Sequence, residues 1–295
     1  MKGLDLTSSL FAPDAIKWFR WAIAVASLFN FLLLLPLWLR EVPVYEVVYP
    51  FPGSGVWHSL THLLSSSPGF LHVLFLGAFL LAAFLLFNYR WRVPACLTLL
   101  FTGHNLVALC YPFLNMSQYL LLVLITFLLF MDERADERTG SLGVLSRGLT
   151  NTFYIICFAQ VLAAYIFPFV YKVQGQMWLS GTALGIILSI PEFSRNFILH
   201  NTAPDQWFFM FLTWATLVYQ ALFPIFIWWK KAKAFLIVVG VMFNLGIGLL
   251  MGLLDITVVM ISGYAILLDH DTIMKLRSWV NVFSKQRAAD LSSSA

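Results

Sequence analysis

The sequence predicts an all-α integral membrane protein, a bundle that crosses the bilayer about eight times. Hydrophobic residues make up 60% of the 295 residues and charged residues only 11%, whereas an ordinary soluble domain has roughly 25% charged residues. The charges lie between long uncharged runs, most of them of the length that crosses about 30 Å of hydrocarbon. The basic residues cluster at alternate ends of those runs, as cytoplasmic flanks do.

This composition excludes a soluble enzyme, a disordered chain and a disulfide scaffold. The three cysteines, Cys96, Cys110 and Cys157, lie in apolar runs, so we expect small buried hydrophobes rather than bridges or metal ligands. A net charge of +4 does not indicate a nucleic-acid partner, because the basic residues stand singly or in small groups between apolar runs. The expected partner is the lipid bilayer, and the expected location is the cell (inner) membrane.

The first half of the single membrane domain, 1–131, is predicted to hold four spans. The uncharged run 21–39 predicts the first, which we expect to be retained because no convincing small-x-small cleavage site follows it. The second is predicted at 70–89, after loop-forming sequence rich in Gly, Ser and Pro. The turn-like CYPFLN at 110–115 divides the next run, 93–131, into the third and fourth spans.

The polar segment 132–150 is predicted to be a cytoplasmic linker to the second half, 151–268, and a cytoplasmic tail is predicted at 269–295. The last four spans are predicted from uncharged runs at 148–171, 206–229, 234–254 and the shorter 256–268. With both termini cytoplasmic, 15 of the 18 Lys and Arg residues fall inside, and the exceptions are Arg40, Lys172 and Arg195.

The segment 178–190 is also apolar, but a ninth span there would leave nine basic residues on each side of the membrane. Its two glycines and the following Pro191 favour a short interrupted helix. We therefore predict that the outer loop 172–206 carries a helix that lies along the outer surface or re-enters it.

Polar side chains inside spans are candidate site residues, because they are expensive in lipid. His104 and Asn105 are adjacent in the third span, and Gln160, Gln220 and Asn244 lie in the fifth, sixth and seventh. Each has two interpretations: a contact to a ligand or proton, or a hydrogen bond between packed helices. Together they could line one polar cavity, but one sequence does not show whether they converge.

Two other groups of polar residues stand outside the spans. His58 and His62 share one face of a helix, which is half of a zinc site. No HExxH pattern or third ligand accompanies them, so an amphipathic surface helix is the expected structure, without a metal. Lys172 is predicted to lie on the outer side of the membrane, although most basic residues are predicted to lie inside. It either reaches toward the headgroups or is a partly desolvated amine that acts as a base.

Three stretches resemble the horizontally transferred transmembrane domain (HTTM) family over roughly residues 15–268. They are FLLFNYRWRVPACLTLLFTGHN with LNMSQYLLLVLITFLLFMDE, then YKVQGQMWLSGTAL, then FLTWATLVYQALFPIFIWWKKAKAFLIVVGVMFNLGIGLLMGL. The family shares its membrane domain with vitamin K-dependent gamma-carboxylase and with a bacterial sporulation-delaying-toxin maturation protein. The second and third stretches, in this order and spacing, carry the resemblance.

The resemblance implies that Lys172 is the base that activates a reduced vitamin K-like quinone at the outer face. Other positions depart from the family. Ser117 and Gln118 stand where the carboxylase has a histidine, and Gln220 and Asn244 are amides where many members have an acid and a histidine. The carboxylase's large luminal domain has no counterpart here, so full glutamate carboxylation is not expected.

Three functions therefore remain open. The first is a carboxylase-like membrane enzyme acting on a quinone-like lipid or a peptide. Its base is Lys172 and its pocket residues are His104, Asn105, Trp178, Gly181, Thr182, Gln220 and Asn244. The second is a non-catalytic component of a maturation, export or protection system for a secreted peptide or another membrane protein. The third is a small-molecule transporter, although no inverted repeat is visible.

Overall fold

The computed structural model describes residues 6–41, 68–109, 116–190, 206–275 and 278, and within these ranges it contains helices and no strands. The helices are α1 (Pro13–Glu41), α2 (Pro68–Leu85), α3 (Arg92–Leu109), α4 (Met116–Phe130), α5 (Gly140–Lys172), α6 (Gln176–Leu179), α7 (Ala183–Ser189), α8 (Gln206–Phe226), α9 (Lys230–Met251) and α10 (Leu254–Gly263). Short 3-10 turns follow α2, α4 and α10, at Tyr89–Trp91, Ala135–Glu137 and Tyr264–Leu267.

Five helices in the described ranges are long and apolar enough to cross a membrane. They lie at Pro13–Leu33, Met116–Glu137, Gly140–Lys172, Gln206–Phe226 and Lys230–Met251. Leu76–Leu85 and Leu254–Leu267 form shorter apolar helices. The predicted all-helical chain with several helices of membrane length is thus confirmed, and the count of eight spans stays a prediction.

Helix α1 joins the two halves of the chain, because it packs against α2 and α4 from the first half and α10 from the second. The helices share one apolar core, which includes Phe19 and Ile23 of α1 and Leu124 and Leu128 of α4. Lipid is as apolar as these side chains, so close packing and hydrogen bonds between helices hold such a bundle together.

One end of the bundle is held by a buried arginine on α1. Arg20 is only 2% exposed. Its Nη1 donates to the carbonyl oxygens of Leu86 and Phe87 at 2.6 and 2.7 Å, just after α2 ends. Its Nε and Nη2 donate to the two carboxylate oxygens of Glu133 at 3.0 and 2.9 Å. The guanidinium therefore satisfies carbonyls that a helix end leaves without partners.

Arg92 caps the C-terminal end of α4. Its Nη1 donates to the carbonyl oxygens of Leu128 and Leu129 at 3.1 and 3.3 Å, and it is 7% exposed. In the sequence these arginines are only markers of membrane sidedness. The structure shows that they also cap neighbouring helices.

The segment 132–150, which is predicted to be a cytoplasmic linker, is partly helical. Because α5 begins at Gly140, part of the segment 132–150 belongs to the helix. The remainder is folded around Asp132, which accepts a hydrogen bond from the Tyr89 hydroxyl at 2.6 Å and pairs with Arg138 at 2.7 Å. Burial and this hydrogen bond to Asp132 raise the pKa of Tyr89. Tertiary contacts therefore order the polar residues that precede α5.

Several predicted features lie outside the described residues. They are the turn at 110–115, the His58 and His62 pair, the outer loop from 191 to 205 and the tail from 279 onward.

Candidate functional site

The amine of Lys172 lies at the C-terminal end of α5 and contacts the neighbouring helix α8. Its Nζ donates a hydrogen bond to Oε1 of Gln220 at 3.1 Å. Gln220 is only 5% exposed, so the lysine side chain turns toward the bundle. This direction follows from helix geometry, because side chains on an α-helix lean toward its N-terminus.

A tight turn after α5 places Trp178 against the same amine. The N–H of Gly175 donates to the carbonyl of Lys172 at 3.0 Å, and the N–H of Trp178 donates to the carbonyl of Gly175 at 3.0 Å. The Lys172 Nζ lies 4.5 Å from the centroid of the Trp178 ring. A cation at this distance from an indole face is attracted by the ring electrons.

The segment that carries Trp178 is an interrupted helix, as the sequence predicted for 178–190. The break between α6 and α7 falls at Gly181, which has a φ of +80°, a conformation that glycine adopts without strain. A Cβ at Gly181 would lie 3.2 Å from Met210 and Trp214 of α8. Thr182 follows at the N-terminus of α7, and its hydroxyl is 2.9 Å from that of Ser180.

Two hydrogen bonds fix this segment on α8. The Trp214 Nε1 donates to the carbonyl of Leu179 at 3.1 Å. The N–H of Leu184 donates to the Thr213 hydroxyl at 3.2 Å. Trp178 is therefore held over the lysine by the turn at Gly175 that precedes it and by these two hydrogen bonds that follow it. The elements α5, α6, α7 and α8 form one structural unit.

The environment of the Lys172 amine is polar but not acidic. Among the described residues its polar contacts are the neutral amide of Gln220 and the Trp178 ring, and no carboxylate pairs with it. A carboxylate would hold the amine as an ammonium ion. An amine with neutral partners can accept a proton from an acidic group that is brought to it.

A second polar cluster, the tyrosine cluster, lies deeper between four elements and consists of Tyr165, Tyr219, Tyr264 and Asn244. The Asn244 Nδ2 donates to the hydroxyls of Tyr165 and Tyr264 at 3.1 and 3.0 Å. The Tyr219 hydroxyl is 3.2 Å from that of Tyr264, which also contacts the Tyr165 hydroxyl. All four residues are buried.

Two members of the tyrosine cluster are close in sequence to the residues of the lysine site. Tyr219 precedes Gln220 on α8, and Tyr165 lies seven residues, or about two helical turns, before Lys172 on α5. The sequence singled out Asn244 and Gln220 but not the tyrosines. Their spacing from Lys172 and Gln220 was the signal that could have identified them.

The structure does not bring the other predicted residues to this site. His104 is exposed on α3, which packs mainly against α2 and α4. Asn105 lies on the same helix, and its side chain is outside the described part of the structure. Gln160 is half-buried on α5 beside Val161 and Ala164. It lines a small apolar gap between α4, α5 and α10.

A third polar group joins α1, α4 and α10. The Ser117 hydroxyl donates to Oδ2 of Asp255 at 2.7 Å. The Gln118 Nε2 lies 3.5 Å from the same oxygen and 3.4 Å from Oδ1 of Asn30. Ser117 and Gln118 thus face the Asp255 carboxylate, for which the sequence indicated no partner.

In the described ranges, no group of three or more His, Cys, Asp or Glu side chains is arranged to hold a metal ion. No family model matches the chain, and no curated protein or solved structure is significantly similar to it. The HTTM resemblance therefore stays a prediction, and the chemistry of the lysine site is argued below from its own contacts.

Proposed function

We propose that the protein is an integral membrane enzyme of about eight spans with both termini cytoplasmic, in which Lys172 acts as a base at the outer face. The charge distribution supports this orientation, because it leaves Lys172 among three basic residues outside. The resemblance of YKVQGQMWLSGTAL to the family's lysine motif supports the role of Lys172 in the chemistry.

The observation that carries the proposal is the geometry of the amine. The Lys172 Nζ is 3.1 Å from the Gln220 amide oxygen and 4.5 Å from the Trp178 ring centroid. A lysine that only reached toward headgroups would extend outward. Here two neighbours orient the amine within the protein, and orientation of a basic group is what proton transfer needs.

The substrate class we propose is a reduced, quinone-like lipid, whose phenolic hydroxyl would give its proton to the Lys172 nitrogen. The elements that form the site also expose apolar and aromatic side chains, namely Tyr171 of α5, Met177 and Leu179 of α6 and Trp214 of α8. An aromatic ring on a lipid tail could reach such a surface from the bilayer. A peptide substrate at the outer face is the alternative class for the same base.

The test compares the wild type with Lys172→Arg in lipid nanodiscs supplied with a reduced naphthoquinone. Arginine keeps the positive charge but does not lose its proton, so it cannot act as a base. We expect the rate of oxygen-dependent oxidation of the reduced naphthoquinone to fall about 10²–10⁴-fold, because this is the usual contribution of a general base. Mass spectrometry of extracted small molecules measures whether the quinone still binds.

Lys231→Arg is the matched control, because Lys231 is an exposed lysine in the first turn of α9. It should react at the wild-type rate. A wild-type rate in Lys172→Arg would refute the base role. Absence of quinone binding and turnover in the wild type would refute the quinone class, and outer-face peptides would be assayed next.

A non-catalytic role is the second candidate. The outer ends of α6 and α8 expose large side chains, including Met177, Trp207 and Phe211, which could dock another membrane protein or a secreted peptide. In that case Trp207→Ala would abolish co-purification of the partner, whereas Lys172→Arg would leave it unchanged. If both variants lost the partner, Lys172 would itself take part in binding the partner, and a purely structural role for this lysine would be contradicted.

A further inference from the structure

An open cleft lies far from Lys172, at the opposite end of the bundle. It has a volume of about 680 Å³ and lies between the start of α1, the turn after α2 and the segment after α4. Sites for small molecules have volumes of roughly 300–1,000 Å³. In the proposed topology the cleft is at the level of the cytoplasmic headgroups.

We infer that this cleft binds the phosphate-bearing headgroup of an anionic phospholipid. Lys17 of α1 and Arg134 after α4 both line it, and both side chains are exposed. Lys17 makes no ion pair with a described residue, and Arg134 reaches Glu137 only at 4.0 Å. Basic pockets between spans on the cytoplasmic side are the sites that recognise anionic headgroups.

Of the two acidic residues that line the cleft, Glu133 is neutralised by a buried partner and Asp14 is exposed. Glu133 is bound by both Nε and Nη2 of Arg20, so this pair forms a neutral wall. The Oδ2 of Asp14 is 3.7 Å from Nδ1 of His270, which balances the carboxylate only when the imidazole is protonated. Lys17 and Arg134 bring two positive charges to the cleft against the one negative charge of Asp14, so a net positive charge is left to attract an anion.

The surroundings of the cleft favour a lipid over free phosphate. Trp91 lines it and is 46% exposed, and Phe84 lines it and is 68% exposed. Leu81, one turn before Phe84 on α2, is also exposed. A phosphate in the cleft would thus continue into an apolar helix face along which acyl chains can lie, and Trp at such a boundary is typical of the membrane interface.

The Arg134 guanidinium is already held in place for this contact. Its central carbon lies 4.5 Å from the centroid of the Tyr89 ring, and Tyr89 is fixed by its hydrogen bond to Asp132. A guanidinium stacked on an aromatic ring loses less freedom when it binds an anion. This positioning makes Arg134 a specific contact and not one of many mobile surface charges.

The test measures the thermal unfolding of the full chain in detergent with added short-chain phosphatidylglycerol. Phosphatidylcholine and inorganic phosphate are added in parallel. The variant is Lys17→Gln with Arg134→Gln. The control is Arg90→Gln, because Arg90 is exposed at the same end of the bundle but does not line the cleft.

We expect phosphatidylglycerol to raise the Tm of the wild type and of the control. Each basic contact contributes about 1 kcal/mol to anionic lipid binding. The double variant should therefore bind phosphatidylglycerol about 10–30-fold more weakly. An equal Tm rise in the double variant would overturn the site. An equal rise with inorganic phosphate would overturn the lipid as its source, and an equal rise with phosphatidylcholine would overturn the charge selectivity.

A second measurement uses only the wild type, in case the double variant does not fold. A phosphatidylglycerol with a photoreactive group in its headgroup is cross-linked to the protein in nanodiscs, and the labelled peptides are sequenced. Labelling concentrated at residues 13–21 and 84–91 supports the site. Labelling spread evenly over the basic residues of this end would overturn it.

Discussion

Replacement of Arg20 by methionine should destabilise the bundle far more than the loss of a surface charge would. The guanidinium makes two hydrogen bonds to backbone carbonyls at 2.6 and 2.7 Å and two to Glu133 at 3.0 and 2.9 Å. It is 2% exposed, and the Glu133 side chain is 8% exposed. The variant would therefore leave a carboxylate and a helix end buried without their partner.

Removal of one member of a buried ion pair costs about 3–5 kcal/mol, and an exposed pair contributes about 0–1 kcal/mol. We expect Arg20→Met to lower the free energy of unfolding by about 3–5 kcal/mol, within the range for buried pairs. The assay is equilibrium unfolding in mixed detergent micelles with increasing dodecyl sulfate, followed by near-ultraviolet circular dichroism.

The double variant with Glu133→Met separates the ion pair from the carbonyl contacts. If the pair dominates, the second substitution should restore part of the lost stability, because no charge is then left alone. Arg90→Met, at an exposed position, should change the free energy of unfolding by less than about 0.5 kcal/mol. A loss below about 1 kcal/mol in Arg20→Met would mean that water reaches the guanidinium, and the reasoning would be refuted.

Three further results are expected. Gln220→Leu removes the acceptor of the lysine amine, and we expect kcat to fall about 10–100-fold with KM unchanged; an unchanged kcat in the naphthoquinone assay would remove Gln220 from the site. Gly240→Ala would overlap two buried tyrosine hydroxyls and should cost about 1–3 kcal/mol, whereas Gly246→Ala, which faces open space, should be neutral or stabilising in the same unfolding assay. The pKa of Asp269 is below its ordinary 3.8: burial raises it, but the contacts with Lys233 and Thr272 together lower it by more. A depressed carboxyl pKa contributes stability above about pH 4 that is lost as the pH falls further. Asp269→Asn should therefore flatten the acid limb of the Tm–pH profile, and an unaltered limb would contradict this.

The positions of the helices could be predicted from the sequence, because they depend on local composition. The uncharged runs coincide with α1 to α5 and α8 to α10, and the interrupted helix was expected from the glycines near 181. The contact of Trp178 with Lys172 also follows from closeness in the chain, since six residues and one turn separate them.

The contacts between distant segments could not be predicted. Gln220 lies 48 residues from Lys172, and nothing in a single sequence indicates that the two face each other. The same holds for the tyrosine cluster, whose members come from four separate elements. The polar composition of 132–150 also did not indicate that α5 begins at Gly140, because a long helix can continue beyond the hydrocarbon.

Burial of Arg20 has a consequence for how the protein is synthesised. Its acceptors at Leu86 and Glu133 are translated 66 and 113 residues later, which at about 5–20 residues per second gives delays of roughly 3–13 and 6–23 seconds. During that interval water and headgroups can solvate the guanidinium, because Arg20 is at the cytoplasmic end of the first span in the proposed topology. Arg20 therefore gives up its water only when α1, the end of α2 and the segment after α4 come together.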